Sequence, residues 1–374
     1  MCMRLNKIKL YRPNSSSGGG NIVDQPYDSS IWDGDTTQGA SRNAIRDKIE
    51  SMGYNAGSIL YVDGQAGDDT TARKGNILKP YQTPAMASVN ASMNDLIVVF
   101  PGNYVLGSFG LPLKYGVNYY MLNPTFINTD FSYGLIMTFP YPIKSKIFGK
   151  ATFTDYSPVG GWAMITPYMD CDLEFEGMTF ISNKQLIGQL GASGLNKILK
   201  FKNCKLISND NDTQYYAGGG FAPGSATFED CYLQGNFLIG NAGSCPGYDF
   251  KLKFSRCELV ANDTNTNGDT CFLRLVEYYE NAELSKVFLD HCVLRSSTHN
   301  IEIGEGYGGI GTNKYLIIKD CYFYNSNGSG WIKNEHANAQ FKLVNNWSTY
   351  AQSGSVSVVN LLPGPGITCD SNLE

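Results

Sequence analysis

Histidine is scarce in this chain, with three in 374 residues, and charged side chains make up only 17% of it. So few imidazoles leave little general acid–base chemistry near neutral pH. No run of Lys and Arg forms a phosphate-binding stripe, and a formal net charge of −5 argues against nucleic acid as a partner. No apolar stretch approaches the ~20 residues a membrane-spanning helix needs. The opening MCMRLNKIKLYRPN lacks the extended apolar core of a secretion signal. Membrane insertion is therefore not expected, and folding in a cytoplasm is. The ten Cys lack the C-x-x-C spacing of zinc sites, so neither a metal nor a cofactor is expected.

What the chain has in quantity is repetition. LEFEGMTF (173–180), LKFKNCKL (199–206), ATFEDCYL (226–233), LKFSRCEL (252–259), VFLDHCVL (287–294), LIIKDCYF (316–323) and FKLVNNWS (341–348) align on Met178, Cys204, Cys231, Cys257, Cys292, Cys321 and Asn346. The spacings are 26, 27, 26, 35, 29 and 25. Periods of this size mark a solenoid or array. Each unit alternates with period two and favours Phe, Val, Ile and Tyr, so the units are strands. A coil of this length at ~3.3 Å per residue closes a loop of about 85 Å, enough for a three-sided tube filled with side chains.

Within each unit the alternation slips once. In LKFKNCKL, Leu199 and Phe201 share a face, and Cys204 and Leu206 share the next, so a corner falls between them. The residue before the aligned position reads Gly177, Asn203, Asp230, Arg256, His291, Asp320 and Asn345. All but Arg256 are types that tolerate the left-handed backbone a tight corner needs. Asp230, His291 and Asp320 are accordingly read as corners. The five Cys of the aligned column are read as free, buried thiols. The 41 Gly and many Asn, Asp and Ser suit a fold with frequent corners.

Upstream, residues 58–104 read as strand, Gly/Asp loop, short helix and strand. Thr83 is the expected N-cap, Pro84 the first helical residue, and Ala85, Met86, Val89 and Met93 the expected buried stripe. Such a helix would close the open end of the first coil, whose bare strand edge would otherwise recruit other chains. The segments YVDGxxGxD, KPYxT and DxIVVxPGxY resemble the opening of right-handed parallel β-helix proteins of the pectin-lyase-like superfamily. With the later coils, the resemblance covers roughly residues 58–362. It implies an all-β, right-handed parallel β-helix (β-solenoid), and it leaves activity open, because that superfamily holds lyases, hydrolases, epimerases, adhesins and phage tail proteins alike.

Residues 1–57 differ in character. RPNSSSGGGN reads as a flexible linker. SRNAIRDKIESMG reads as a short helix, with Ser41 as N-cap, Gly53 as stop and a narrow apolar seam of Ile45, Ile49 and Met52 suited to oligomerisation. A helix of that length is marginal alone, so it needs a partner surface. SRNAIRDKIE resembles a segment of bacteriophage tail-fibre and related virion proteins that precedes a receptor-binding or β-helical part. Residues 1–57 are thus expected to form a small helical attachment and oligomerisation region with a linker, residues 58–362 the capped solenoid, and residues 363–374 a C-terminal tail.

Enzymes of the resembled superfamily that cleave acidic glycans carry clustered carboxylates on the outer face. Nine positions after the Phe of their units lie Asp210 and Asp263, with Asp212 beside the first, and these are the candidate catalytic groups. Their segments, SNDNDT and ANDTNTNGD, are also ordinary turn compositions. Glu302 and Glu305 could flank the same groove or form a solvated face. The chain departs from the pectate-lyase and polygalacturonase patterns: it has no NTD, no DD followed by GHG and no RIK, and its DD, Asp68 and Asp69, falls in the N-terminal loop. Tyr215, Tyr216, Tyr278, Tyr279 and Trp331, in apparent loops, are candidate glycan-binding aromatics, while Tyr232, Tyr322 and Tyr324 fall on outward strand positions. Exposed rings of this kind suit sugar stacking or packing against another copy.

The expectation drawn from the resemblance is a phage virion structural protein of the tail-fibre or tailspike kind, homotrimeric, located in the virion. It would join other tail or virion proteins through residues 1–57 and recognise a host-surface glycan. A polysaccharide depolymerase on the same shaft and a bacterial surface adhesin are the alternatives, and whether the chain is an enzyme stays open.

Overall fold

The computed structural model describes residues 58–106, 110–128, 136–137, 142–155, 163–166, 170–183, 186–187, 197–209, 224–235, 237–241, 251–261, 273–277, 286–296, 301–303, 315–325, 332–334, 340–348 and 367–369, together with Ile22–Val23, Gly39–Ala40 and Gly53. Their strands run parallel and stack coil upon coil, giving the parallel β-solenoid expected from the repeat. The pairing register follows the alignment read from sequence: Phe175, Phe201, Phe228 and Phe254 pair in succession, as do Leu206, Leu233, Leu259, Leu294 and Phe323.

The tube has three sides. Lys197–Lys202, Gly224–Glu229, Lys251–Ser255, Lys286–Asp290, Tyr315–Lys319 and Gln340–Val344 belong to the first. Lys205–Ser208, Tyr232–Gln234, Glu258–Val260, Val293–Ser296, Tyr322–Asn325 and Trp347–Ser348 belong to the second. A third side is built by Leu111–Pro112, Ile136–Met137 and Ile165–Thr166 early in the chain. Later it is built by Phe237–Asn241, Leu273–Glu277, Ile301–Ile303 and Ile332–Asn334. Beyond residue 362, Ile367–Cys369 pairs with Phe341–Leu343 and adds a strand within the segment read as tail.

Stacking in register turns the interior into ladders. Phe175, Phe201, Phe228 and Phe254 stack with centroids 5.1, 4.9 and 4.9 Å apart and nearly parallel rings. Phe126, Phe153 and Phe180 form a second stack at 4.8 and 5.1 Å. All are essentially buried. Cys204, Cys231, Cys257, Cys292 and Cys321 form the expected column of free, buried thiols. The Cys204 and Cys292 backbone N–H groups point at the next sulfur along, at 3.4 Å in both cases. The column ends on Asn346, whose Oδ1 accepts from the Cys321 N–H at 3.0 Å and whose amide donates to the Ile318 carbonyl at 3.0 Å.

The corner column behaves as the sequence implies. Asn203, Asp230, His291, Asp320 and Asn345 have φ between 49° and 54°, and Gly177 has φ 80°. Arg256, the residue type that did not fit, takes the same conformation at φ 52°. A left-handed residue with a Cβ costs about 1–2 kcal/mol. Here the guanidinium offsets part of that cost by forking onto the corner residue one coil earlier, with Nε 2.7 Å and Nη2 2.9 Å from the Asp230 carboxylate. The solenoid also begins earlier than the seven units suggest. Asn118–Asn128 and Ile143–Asp155 are full coil strands whose corners are made by Asn123 (φ 66°) and Gly149 (φ 105°).

The cap forms where expected. The helix Pro84–Asn90 starts with Pro at its first turn, and the Thr83 hydroxyl accepts from the Met86 N–H. Its buried face is different from the one read in the sequence. Pro84, Ala87 and Ser88 face inward, with Ala91 just beyond, whereas Ala85, Met86, Val89 and Met93 face out. Both faces carry apolar residues at three- and four-residue spacing. The side that closes the tube is the one small enough to approach it, and the Ser88 hydroxyl comes within 3.4 Å of the Tyr119 hydroxyl.

The Gly/Asp loop folds back over the outside of the first coil. Ile77 packs with Ile59, Tyr61, Leu96, Val98, Phe100, Tyr120 and Leu122 in a second apolar cluster, so Ile59–Val62 and Leu96–Val99 are buried on both faces. Asp68 and Asp69 serve this loop. Asp68 accepts from the Thr70 N–H and from both threonine hydroxyls, at Thr70 and Thr71. Asp69 accepts from the Gln82 and Thr83 N–H groups and the Thr83 hydroxyl, fixing the helix start.

Candidate binding surface

The outward faces of the first and second sides carry different chemistry. On the first side the rows are charged and cross-linked between coils: Lys146 bridges Glu174 and Glu176 at 2.7 and 2.8 Å, and Lys200 meets Asp172 at 3.0 Å. Exposed pairs of this kind add little stability, about 0–1 kcal/mol each.

The second side presents two rows in register. One runs Thr179, Lys205, Tyr232, Glu258, Val293, Tyr322 and Trp347. The other runs Ile181, Ile207, Gln234, Val260, Arg295 and Tyr324. Both rows become aromatic at the far end, where Tyr322, Tyr324 and Trp347 are 40%, 42% and 64% exposed. Trp347 is the rung neighbour of Tyr322, so the two rings are one coil apart, ~4.8 Å along the axis. Arg295 lies over the Tyr324 ring at 5.6 Å while its Nε donates to Glu258 at 2.8 Å. Nearer the cap, Lys205 lies over Tyr232 at 5.2 Å, and the Tyr232 hydroxyl donates to Gln234 at 3.0 Å. Burial, reinforced by the Glu258 charge, raises the Tyr232 phenol above its ordinary range, so it stays a neutral donor. The result is a strip of flat apolar faces with polar tips, held on rigid strands. It is suited to stacking against sugar rings or against apolar protein.

Tyr322 and Tyr324 were placed outward by sequence reasoning, and they are outward. Trp347 was missed. It sits one position after the aligned column, in the row of Tyr232 and Tyr322, so the repeat alignment itself carried the signal. The other sequence candidates, Asp210, Asp212, Asp263, Tyr215, Tyr216, Tyr278, Tyr279 and Trp331, lie outside the described residues, as do Glu305, Ile45, Ile49 and Met52. Glu302 falls on a third-side strand, in register with Arg274 and Lys333.

Among the described residues one cluster has metal-ligand types: Asp290, His291 and Asp320, with one ligand atom from each within 4.8 Å of the others. His291 and Asp320 are successive corners, and Asp290 directly precedes one, so corner stacking alone brings them together. The imidazole is engaged, with Nδ1 2.9 Å from Asp290 and Nε2 3.8 Å from Asp320, and Lys319 neutralises Asp320 at 3.2 Å. Asp230 and Asp320 have carboxyls held below the usual range, the first by its hydrogen bonds to Arg256 and the second by Lys319. These are structural corner pairs. Among the described residues no helix is long and apolar enough to cross a membrane. Comparison with protein-family models, with curated proteins and with solved structures finds no match.

Proposed function

We propose that this chain is a virion structural protein of the phage tail-fibre or tailspike kind. It works as a homotrimer, held to other tail or virion proteins through residues 1–57, and meets a host-surface glycan with the aromatic strip of its far coils. The observation that carries this reading is the placement of large apolar side chains on the surface. Those exposed among the described residues gather at two ends: Leu78, Met86, Val89, Met93, Val105 and Tyr115 in the coils next to residues 1–57, and Tyr322, Tyr324 and Trp347 in the last coils. Exposed apolar patches mark contact sites. A shaft with one sticky end beside a segment resembling tail-fibre attachment sequences, and another at the opposite end, suits a connector between a particle and a surface.

The test is binding of the full chain to host capsular or surface polysaccharide. Loss of one stacked ring removes about 1.4 kcal/mol, near the top of the range for an aromatic contact, so Trp347→Ala weakens binding about tenfold. Unchanged affinity in both Trp347→Ala and Tyr322→Ala removes the strip from the reading. The same incubation is assayed for new reducing ends and unsaturated uronates. Product that disappears in Asp210→Ala or Asp263→Ala replaces a binding shaft with a depolymerase.

A further inference from the structure

The far coils of the second side form an apolar lane between two polar rows. Val293, Tyr322 and Trp347 follow one another in a single outward row, one coil apart, so about 10 Å separates the first from the last. Two residues before each of them stands a corner residue: His291, Asp320 and Asn345. Two residues after Val293 and Tyr322 stand Arg295 and Tyr324, paired in register. A chain of sugar rings stacked on Tyr322 and Trp347 would lie along this lane, with its hydroxyls against the flanks.

The flanks decide what charge such a ligand can carry. They and the residues beside them hold three carboxylates, Glu258, Asp290 and Asp320, and two permanent cations, Arg295 and Lys319. Both cations are already engaged. Arg295 donates through Nε to Glu258 at 2.8 Å and lies over the Tyr324 ring, and Lys319 meets Asp320 at 3.2 Å. His291 Nδ1 lies 2.9 Å from Asp290, and the Asn345 side chain hydrogen-bonds to Asp320. A carboxylate, sulfate or phosphate on the ligand would therefore meet three like charges within about one Debye length, and no free cation among the described residues of the lane and its flanks. An amine would find each carboxylate taken. Hydroxyls ask for neither charge, since they both donate and accept. Arg295 spends one of its N–H donors on Glu258 and keeps the others, and each carboxylate has lone pairs to spare.

We propose that the lane takes an uncharged glycan segment, stacked on Tyr322 and Trp347 and hydrogen-bonded at its hydroxyls by Arg295 and Asp320. This rests on the glycan reading above and adds the charge class of the ligand. Specificity comes from exclusion: ion pairs that contribute little to stability close the lane to acidic polymers.

The test is binding of the full chain to three forms of one host surface polysaccharide: native, carboxyl-reduced with carbodiimide and borohydride, and oxidised at its primary hydroxyls to uronates. The reduced form should bind at least as tightly as the native one, and the oxidised form about fivefold or more weakly. Affinity for the reduced form should change less than about twofold between low and high salt, because no ion pair is made on binding. Glu258→Gln removes one carboxylate and releases the Arg295 charge, so it should recover most of the loss on the oxidised form, a shift that a merely structural role for the pair would not produce. Tighter binding of the native or oxidised form than of the reduced one, or no recovery in Glu258→Gln, overturns the charge assignment and leaves the glycan reading standing. Failure of all three forms to bind removes both.

Discussion

Replacing Phe228 with Ala should open this protein locally and nowhere else. Phe228 is fully buried and sandwiched between Phe201 and Phe254, each 4.9 Å away with rings tilted by only 4° and 13°. Truncating a buried Phe costs about 3–5 kcal/mol. Some 0.5–1.5 kcal/mol of that belongs to each stacked ring pair. The neighbouring ladder position on the same strand is Ala226, too small to fill the space. In a stack where each coil touches only the next, the loss falls on those neighbours. Amides of Lys197–Lys202, Gly224–Glu229 and Lys251–Ser255 should exchange faster by about a hundredfold to several thousandfold, while those of Ile59–Val62 and Tyr119–Met121 keep their rates. Phe254→Leu is the control: the next rung in that column is already Leu289, so the cost should be well below that of Phe228→Ala. Equal acceleration along the whole shaft would refute the argument, because the ladders would then be one cooperative block.

Other consequences can be checked the same way. Arg256→Gly removes an exposed ion pair that solvent screens and relieves a left-handed Cβ worth about 1–2 kcal/mol. Denaturation should show it neutral to mildly stabilising, whereas Arg256→Val should destabilise. The same replacement frees Asp230, whose carboxyl the guanidinium holds below the usual range. A depressed carboxylate contributes stability above the unfolded pKa of about 3.9 and loses it as pH falls through the lower folded value. The acid unfolding limb of Arg256→Gly should therefore lack that contribution, with the Asp230 titration moved upward by NMR. Gly177→Ala should fail to fold or lose several coils by circular dichroism, since its Cβ would sit 2.1 Å from the Gly149 carbonyl oxygen. Asp69→Ala leaves the Gln82 and Thr83 N–H groups without their carboxylate and should cost about 2–4 kcal/mol, seen as faster exchange in the cap helix. Burial pushes the Cys171 thiol up to about 12 and the Cys204 thiol well above its usual range. Both should resist iodoacetamide at pH 8 until the chain is denatured.

The register of the shaft was legible in the sequence because two columns announce it. The aligned Cys fixes the interior, and the Asn, Asp, His and Gly before it fix the corner. Upstream, the same architecture uses Asn123 and Gly149 without a Cys, so the repeat fades from view while the backbone conformation persists. The cap was legible from Thr83 and Pro84, which act locally. Its inward face was not, because periodicity says that a face is apolar and not which of two apolar faces meets the tube. Ala87 and Ser88 win over Met86 and Val89 on size, and that emerges only in three dimensions. Asp68 and Asp69 likewise look like loop decoration until Asp69 is seen holding the first turn of the helix. The aromatic strip was half legible, since Tyr322 and Tyr324 declare themselves as outward residues, whereas Trp347, one place after the aligned Asn346, lies in a final unit whose short strand does not advertise an outward row.

That Asn346 bears on how the inner column is built. The Cys231 and Cys321 thiols accept weakly from the N–H of the coil before, and a thiol asks nothing special of the coil after, so any number of Cys rungs could follow one another. Asn346 fills the same place with stronger groups, giving the Cys321 N–H a full-strength acceptor and donating to the Ile318 carbonyl, as the Cys204, Cys231 and Cys257 thiols donate to the Phe carbonyls of the coil before. The coils do not depend on either residue, since Ile367–Cys369 adds a strand beyond Asn346 and the upstream coils stack without a Cys in this column. A whole coil duplicated between Cys231 and Cys257 should lengthen the shaft by one rung of ~4.8 Å with both ends untouched, which makes reach an adjustable property of this chain, separable from what either end holds.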